Sequence, residues 1–369
     1  GQAYLLAGNR VTPFTEFPAM LHDMLCAIHS ARHHIHVQFY IFMDDAVGRL
    51  LRDALIDKAR QGVKIRLLYD DVGSWKVKNR FFRDMVKEGI EVYPFGEVKF
   101  AALTRRVNYR NHRKLVIVDG QLGYIGGMNI AERYYKGFSW GGWRDTHIRI
   151  EGMAVNALQT SFFVDWHYAS RMLVDEPVYF PKVERKGDTD MQIVTSYPMG
   201  EWKTIMQGLL QVISQSRRYL YIQTPYFMPT EPILMALRNA ALAGVDVRIM
   251  VPLRGDSLLA DLASHSYYKE VMTAGVKIYQ YESGYLHAKM ILSDDNFVTI
   301  GSTNMDFRSF EQNFEINAFI YDPDVVETMK QIFLADQQSS LRVIPADWQN
   351  RPLWKRCLES LVRLLSPIL

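Results

Sequence analysis

The chain has 369 residues, a length past that at which one hydrophobic core usually stops growing, so two units or two fused halves are expected. Apolar residues make up 48% and charged residues 22% with no low-complexity tract, which excludes a disordered chain, and two cysteines exclude a disulfide framework. The net charge of +3 is too small to predict a nucleic-acid partner, and no apolar run reaches the roughly 18 residues of a membrane-spanning helix.

In chain order, Phe17 to Ala31 carries a helical pattern, and His34 to Phe42 alternates as a strand does. Ala46 to Gln61 is apolar at Val47, Leu50, Leu51, Ala54, Leu55 and Ala59 and ends at Gly62, before the strand Val63–Tyr69. Between Lys99 and Lys114 lie six basic residues, Lys99, Arg105, Arg106, Arg110, Arg113 and Lys114, and no acidic one. That stretch either meets an anionic partner or is a solvated basic loop. The polar, proline-containing segment 175–190 reads as a connector between residues 1–174 and 191–345. The second half repeats the first, with helix Ile205–Ser214, strand Tyr219–Gln223, helix Pro232–Ala243, Gly244 and strand Val245–Met250. Gln38 aligns with Gln223, Gly62 and Arg66 with Gly244 and Arg248, and Glu88–Tyr93 with Ala274–Tyr279. An internal duplication is the simplest explanation, and it predicts two α/β/α halves, each with a largely parallel sheet, packed as a pseudo-twofold pseudo-dimer.

Each half carries one copy of the same constellation. Asn111-His112-Arg113-Lys114 leads through an apolar run to Asp119, then to Gly126-Gly127-Met128-Asn129. Leu286-His287-Ala288-Lys289 leads likewise to Asp294, then to Gly301-Ser302-Thr303-Asn304. The offsets are identical: Lys two, Asp seven and Asn seventeen residues after His, with a glycine seven after each Asp. Five such positions recur by accident about once in a million starts. His and Lys two apart in an extended run share a face, so paired halves would bring two imidazoles and two ammoniums to one point.

Two His and two Lys suit displacement at a phosphodiester. A neutral imidazole attacks phosphorus to give a phosphohistidine, and an opposing imidazolium protonates the departing alkoxide and then acts as base on the next alcohol. Ammonium and asparagine amide groups hold the non-bridging oxygens, so neither a metal nor a cofactor is expected. Asp119 and Asp294 are counted with the catalytic motif, although their place between a strand and a turn favours a backbone-pairing role. Asp145 and Glu315 are the candidates for orienting the histidines.

These residues resemble the phospholipase D superfamily from Tyr40 to Pro367. Within it they are most similar to the bacterial cardiolipin synthases, through Trp143-Arg144-Asp145-Thr146-His147, Gln223-Thr224-Pro225-Tyr226-Phe227, Pro252 with Asp256, and Ser302 to Ser309. The resemblance implies that His112 is the nucleophile and His287 the general acid, that Lys114, Lys289, Asn129, Asn304 and Ser302 bind the phosphate, and that Asp145 and Glu315 orient the histidines. It implies phosphatidyl transfer between two phosphatidylglycerols, releasing glycerol. The alternative is hydrolysis of phospholipids or, less in keeping with two motifs in one chain, nuclease activity; no nucleic-acid partner is expected. A serine stands at the motif in one half only, since the first has Gly127 where the second has Ser302. Family members begin with hydrophobic segments that this sequence lacks. The expectation is therefore a catalytic portion, peripheral on the bacterial inner membrane and missing a native anchor; the resemblance leaves the oligomeric state open.

The tail, residues 346–369, places Trp354, Leu358, Leu361, Val362 and Leu365 on one helical face, which either lies on an anionic membrane or docks on the core. Phe100 to Leu103 is a second candidate for lipid contact. His33, His34 and His36 read as packing or surface residues and His265 as a helix residue. Asp70 and Asp71 end a strand where α/β folds bind ligands.

Overall fold

The computed structural model describes residues 3–97 and 108–367. Lys99, Arg105, Arg106 and the Phe100–Leu103 segment lie outside the described residues. The first half runs β1 (Leu6–Phe14), α1 (Phe17–Ser30), β2 (His34–Phe39), α2 (Ala46–Arg60), β3 (Lys64–Asp70), α3 (Asn79–Lys87), β4 (Glu91–Phe95), β5 (Arg110–Asn111), β6 (Leu115–Val118), β7 (Leu122–Gly126), α4 (Glu132–Lys136), β8 (Gly142–Arg144), β9 (His147–Glu151) and α5 (Ala154–Ser170). The second runs β10 (Thr189–Ser196), α6 (Thr204–Gln215), β11 (Tyr219–Gln223), β12 (Phe227–Met228), α7 (Glu231–Leu242), β13 (Asp246–Pro252), α8 (Leu258–Thr273), β14 (Lys277–Tyr281), β15 (Gly284–Leu286), β16 (Met290–Ser293), β17 (Phe297–Gly301), β18 (Met305–Asp306), α9 (Phe307–Glu311), β19 (Asn313–Tyr321) and α10 (Pro323–Gln338). The chain ends with β20 (Ser340–Arg342), α11 (Pro345–Gln349) and α12 (Leu353–Arg363).

The strand order shows the duplication. One sheet runs β20-β14-β13-β11-β16-β17-β19-β10-β1-β9-β7-β6-β2-β3-β4. Its centre is the antiparallel β1·β10 pair, and outward from there each strand of one half has its counterpart in the other, up to β4 and β14, with β20 added at the edge beyond β14. The expected largely parallel sheet is found only in part. The pairs β2·β3·β4 and β11·β13·β14 are parallel, joined by helical crossovers, whereas the motif strands β6, β7 and β9, and β16, β17 and β19, are antiparallel. They are antiparallel because turns of a few residues join β6 to β7 and β16 to β17, too short for a crossover.

Helices cover both faces. One core holds α1, α2 and α3 against the first half of the sheet, and another holds α6, α7 and α8 against the second. On the opposite face a single core containing Leu158, Phe162 and Trp166 of α5 and Val326, Met329 and Phe333 of α10 draws residues from both halves. Gly62 and Gly244, at φ 89° and 92°, end α2 and α7 and turn the chain into β3 and β13, a conformation that costs other residues about 1 kcal/mol.

The motif aspartates sit at the far end of β6 and β16 from the histidines. Asp119 accepts the backbone N–H groups of Arg32, His33 and His34 at 2.8, 2.8 and 2.9 Å. Asp294 does the same for Arg217, Arg218 and Tyr219 at 2.6, 2.8 and 3.0 Å. Each carboxylate thus fixes the entry of β2 or β11 beside its motif strand, and their place in the catalytic set is corrected accordingly. His34 and His36 are buried, His36 stacking on Phe162 and bonded to Gln159 at 2.7 Å, so they are packing residues. Asp119→Ala leaves three donors without their acceptor and should lower unfolding stability by about 2–4 kcal/mol in urea titration. Unchanged stability with lost activity would return Asp119 to the chemistry.

Candidate active site

Each motif histidine is placed by a short strand pairing between halves. β5 runs parallel to the start of β19, Arg110 opposite Asn313 and Asn111 opposite Phe314, and the His112 N–H donates to the Phe314 carbonyl at 3.0 Å. β15 runs parallel to β8, Tyr285 opposite Trp143 and Leu286 opposite Arg144, and the His287 N–H donates to the Arg144 carbonyl at 2.7 Å. The residue after each of those carbonyls is a carboxylate. Glu315 lies 3.0 and 3.1 Å from Nδ1 of His112, and Asp145 lies 2.6 Å from Nδ1 of His287. Each histidine therefore meets a carboxylate from the opposite half. A carboxylate at Nδ1 selects the tautomer that keeps its proton there and leaves the Nε2 lone pair free.

The two pairs are not equivalent. Glu315 presents both oxygens to His112 and is itself held by the Ser302 hydroxyl and by Asn313 Nδ2 at 3.1 Å. Asp145 offers one oxygen to His287 and takes the Thr146 N–H on the other at 2.7 Å. Lys289 Nζ lies 2.8 Å from the same Nδ1 of His287 that faces Asp145 and donates to the His287 carbonyl, as Lys114 donates to that of His112. Gly127 belongs to this asymmetry: a Cβ there would lie 2.1 Å from Asp145 Oδ1. The shorter aspartate reaches its histidine through space that Ser302 occupies in the other half.

Ser302 does not fit its expected phosphate-binding place. It is fully buried, donates to Glu315, accepts the Ile316 N–H at 3.0 Å, and is not among the residues lining the cavity between the histidines. Asn129 and Asn304 do line that cavity. Asn129 is braced by the Ile41 N–H at 3.0 Å and Tyr134 Oη at 2.6 Å, while the side-chain Oδ1 of Asn304 is buried without a partner.

The cavity has a volume of about 290 Å³. His112, His287, Asn129 and Asn304 share its wall with Tyr40, Tyr226, Asp256 and three arginines, Arg110, Arg133 and Arg308. The arginines were not singled out from the sequence as site residues. Arg133 and Arg308 were nonetheless detectable, since each follows its motif asparagine by four residues. A larger hollow of about 970 Å³ beside Gln192, Gln207 and Asp294 contains no motif His or Lys. No cluster of His, Cys, Asp and Glu able to hold a metal ion occurs among the described residues.

Burial governs the charges. Desolvation lowers His112 to about 4 against the upward pull of Glu315, and lowers His287 to about 4 with Lys289 acting in the same direction. Desolvation also brings Lys114 to about 7 and Lys289 to about 8, against the carboxylates that raise them. Burial pushes Asp145 and Glu315 up, but Lys289 and His287 around the first, and His112 and Lys114 around the second, outweigh it and hold both below their ordinary values. The cavity wall therefore holds neutral imidazoles beside ionised carboxylates.

Two halves that contribute one His and one Asn each to a shared cavity, with a buried Lys two residues after each His, define a phosphodiester-exchange enzyme of the phospholipase D type. Comparison with known proteins narrows the class. The profile of the family described as cardiolipin synthase, PLD-like domain, matches residues 24–140 and 209–337. The chain is 44% identical to the major cardiolipin synthase ClsA of Bacillus subtilis (strain 168) over 98% of this chain and 76% of that protein. It is 40% identical to a cardiolipin synthase of Geobacillus kaustophilus (strain HTA426) over 100% of this chain and 74% of that protein. The fold superimposes on a phosphatidylserine synthase of Haemophilus influenzae Rd KW20 with a TM-score of 0.72 at 15% identity, covering 97% of this chain and 95% of the other. The chain belongs to the cardiolipin synthase family and is a phosphatidyltransferase.

Gly127→Ala should displace the Asp145 carboxylate from His287 and lower turnover by about 10²-fold or more, the scale of losing a residue that positions a catalytic base. A crystal structure of the variant with the Asp145–His287 contact intact, or full activity, would remove Gly127 from this role.

Proposed function

We propose that the chain joins two phosphatidylglycerols into cardiolipin and glycerol through a phosphohistidine, with His112 as nucleophile and His287 as acid and base. The observation that carries the reading is the pair of crossed His–carboxylate contacts around one cavity, in a chain of this family.

In the first step His112 Nε2 forms a bond to phosphorus, the bond from phosphorus to the glycerol oxygen breaks, and that oxygen takes a proton from His287. In the second step the hydroxyl of the other phosphatidylglycerol gives its proton to His287, its oxygen bonds to phosphorus, and the bond to His112 breaks. Lys114, Lys289, Asn129 and Asn304 hold the non-bridging oxygens. The unequal pairs favour this order. The two-oxygen contact from Glu315 supports positive charge on His112 as it bonds to phosphorus, while the ammonium of Lys289 beside the His287 ring makes its imidazolium a readier proton donor.

The protein should convert phosphatidylglycerol in detergent micelles to equimolar cardiolipin and glycerol without added metal. His112→Ala should take up no label from phosphatidylglycerol radioactive at phosphorus, whereas His287→Ala should still be labelled on His112 by a phosphorus-labelled phosphatidyl ester whose leaving group, such as p-nitrophenolate, needs no proton. Labelling of the His112 variant on His287 would reverse the two roles, and phosphatidic acid as the main product would favour the hydrolase reading.

We further propose that α12 rests on the anionic membrane that supplies the lipid. The helix docks by its polar side: Glu359 is buried and pairs with Arg351 at 2.6 and 2.8 Å, and Arg363 pairs with Glu270 at 3.1 Å and stands over the Tyr267 ring. Of the expected apolar stripe, Val362 turns inward, while Trp354 and Leu361 remain 65% and 64% exposed, with Leu353 and Leu364 beyond them at 73% and 77%. An apolar face turned outward beside Lys355 and Arg356 fits an acidic lipid surface. Gln312 donates to the Pro367 carbonyl at 3.0 Å, which ties the end of this segment to the residue next to Asn313 of the cavity wall. Among the described residues no helix is long and apolar enough to cross a membrane. Replacing Trp354 and Leu361 together by serine should weaken cosedimentation with phosphatidylglycerol vesicles by about 10²-fold, given roughly 1.5–3 kcal/mol per large apolar side chain. Wild-type binding by that variant would rule out α12 as the docking element.

A further inference from the structure

The wall of the cavity is polarised. Alternation along the extended run puts Arg110 on the same side as His112 and Lys114, while Asn111 and Arg113 turn the other way to Asp165. Arg110 is only 3% exposed, and its Nη1 and Nη2 are buried without a hydrogen-bond partner. Its ion-pair neighbour is Asp70, whose oxygen lies 3.9 Å away, beyond hydrogen-bond range. The Asp70 carboxylate is already engaged by the N–H groups of Val72, Gly73 and Asn111 at 3.0, 2.9 and 2.9 Å. Arg308 lines the same cavity, and no ion pair engages it among the described residues. On the other side the place equivalent to Arg110 is taken by Tyr285, whose hydroxyl bonds Tyr226 at 3.1 Å, and Tyr226 in turn donates to Asp256 at 2.7 Å.

A buried guanidinium with two unpaired donor groups is expensive unless an anion completes it, and its planar fork matches two oxygens of one phosphate. In the proposed mechanism the central phosphate is held by the two motif lysines and the amides of Asn129 and Asn304. Phosphatidyl transfer between like lipids brings a second phosphate into the cavity, three carbons from the hydroxyl that attacks. Resting on that reading, we propose that Arg110, completed by Arg308, is a second anion subsite that holds the phosphodiester of the acceptor phospholipid. Asp256 and Tyr226 then face its glycerol hydroxyls. Because Arg110 has no counterpart in the second half, the subsite exists once and separates acceptor from donor in a site otherwise built from repeated parts.

Two activities of the full chain in mixed micelles test this: cardiolipin formation from phosphatidylglycerol, whose acceptor is anionic, and exchange of labelled free glycerol into phosphatidylglycerol, whose acceptor is neutral. Arg110→Gln should lower the ratio of the first to the second by tenfold or more, Arg110→Lys should restore part of it, and Arg308→Gln should lower it in the same direction. An unchanged ratio in Arg110→Gln, whether both rates fall together or neither does, overturns the subsite. Should Arg110→Gln fail to fold, Arg308→Gln decides alone by the same ratio. Wild-type protein that exchanges glycerol and forms no cardiolipin would overturn the phosphatidylglycerol reading itself, before any variant is made.

Discussion

The crossed contacts between His112 and Glu315 and between His287 and Asp145 are the constraint on which the rest of the structure depends. Neither half holds a complete histidine pair alone, because the carboxylate that selects each tautomer comes from the other half. The sheet is continuous across the β1·β10 pair, and the two short parallel pairings β5·β19 and β8·β15 lock the register there. A one-residue slip in either pairing would turn the carboxylate to the opposite side of its strand and leave a buried imidazole without its partner.

Equivalence between the halves stops at the atoms that set charge. Asp165 of α5 and Asp336 of α10 occupy corresponding places and accept from Gln38 and Gln223 at 2.6 and 2.7 Å. Asp165 is neutralised by Arg113 from within the first motif, at 2.7 Å, whereas Asp336 is neutralised by Arg144 at 2.8 Å, because the second motif has Ala288 at the position of Arg113. Both arginines come from the first half. Arg144 immediately precedes Asp145, and Arg113 immediately follows His112, so each buried ion pair also anchors a residue of the site. The duplicated scaffold thus supports two unlike acid–base groups, as a two-step displacement requires.

Much of this was legible in the sequence. The identical offsets placed both motifs, and a rule as simple as alternation put His and Lys on one face. Helix and strand limits for α1, α2, β11 and α7 fell within one or two residues of the structure, since each ends at a glycine or polar turn with its own conformational signature. What could not be read was long-range pairing: β1 joining β10, the antiparallel motif strands, and the burial of Ser302 against Glu315 thirteen residues away. A serine beside a motif and a serine supporting a carboxylate look alike in sequence, and only the path of β19 distinguishes them. The orientation of α12 was hidden for a similar reason. Its periodicity defined two faces but not which one the protein takes, and Glu359 with Arg351 won over the leucines.

The electrostatics of the cavity make the substrate part of its own activation. Burial keeps both imidazoles near 4 and the lysines near 7 and 8, so at neutral pH the protein's own groups leave both imidazoles uncharged. A phosphodiester entering between them brings one negative charge. At about 4 Å and an effective dielectric of about 20 its attraction for a proton on a neighbouring ring is about 4 kcal/mol, enough to carry an imidazole from about 4 into the neutral range. The same charge holds both lysines protonated. In the proposed mechanism His112 bonds to phosphorus in the first step and has no use for that proton, whereas His287 gives it to the leaving oxygen. The proton that the substrate's charge draws onto His287 is, in that mechanism, the one given up on cleavage, so the burial that keeps the imidazole neutral ties its charging to the substrate.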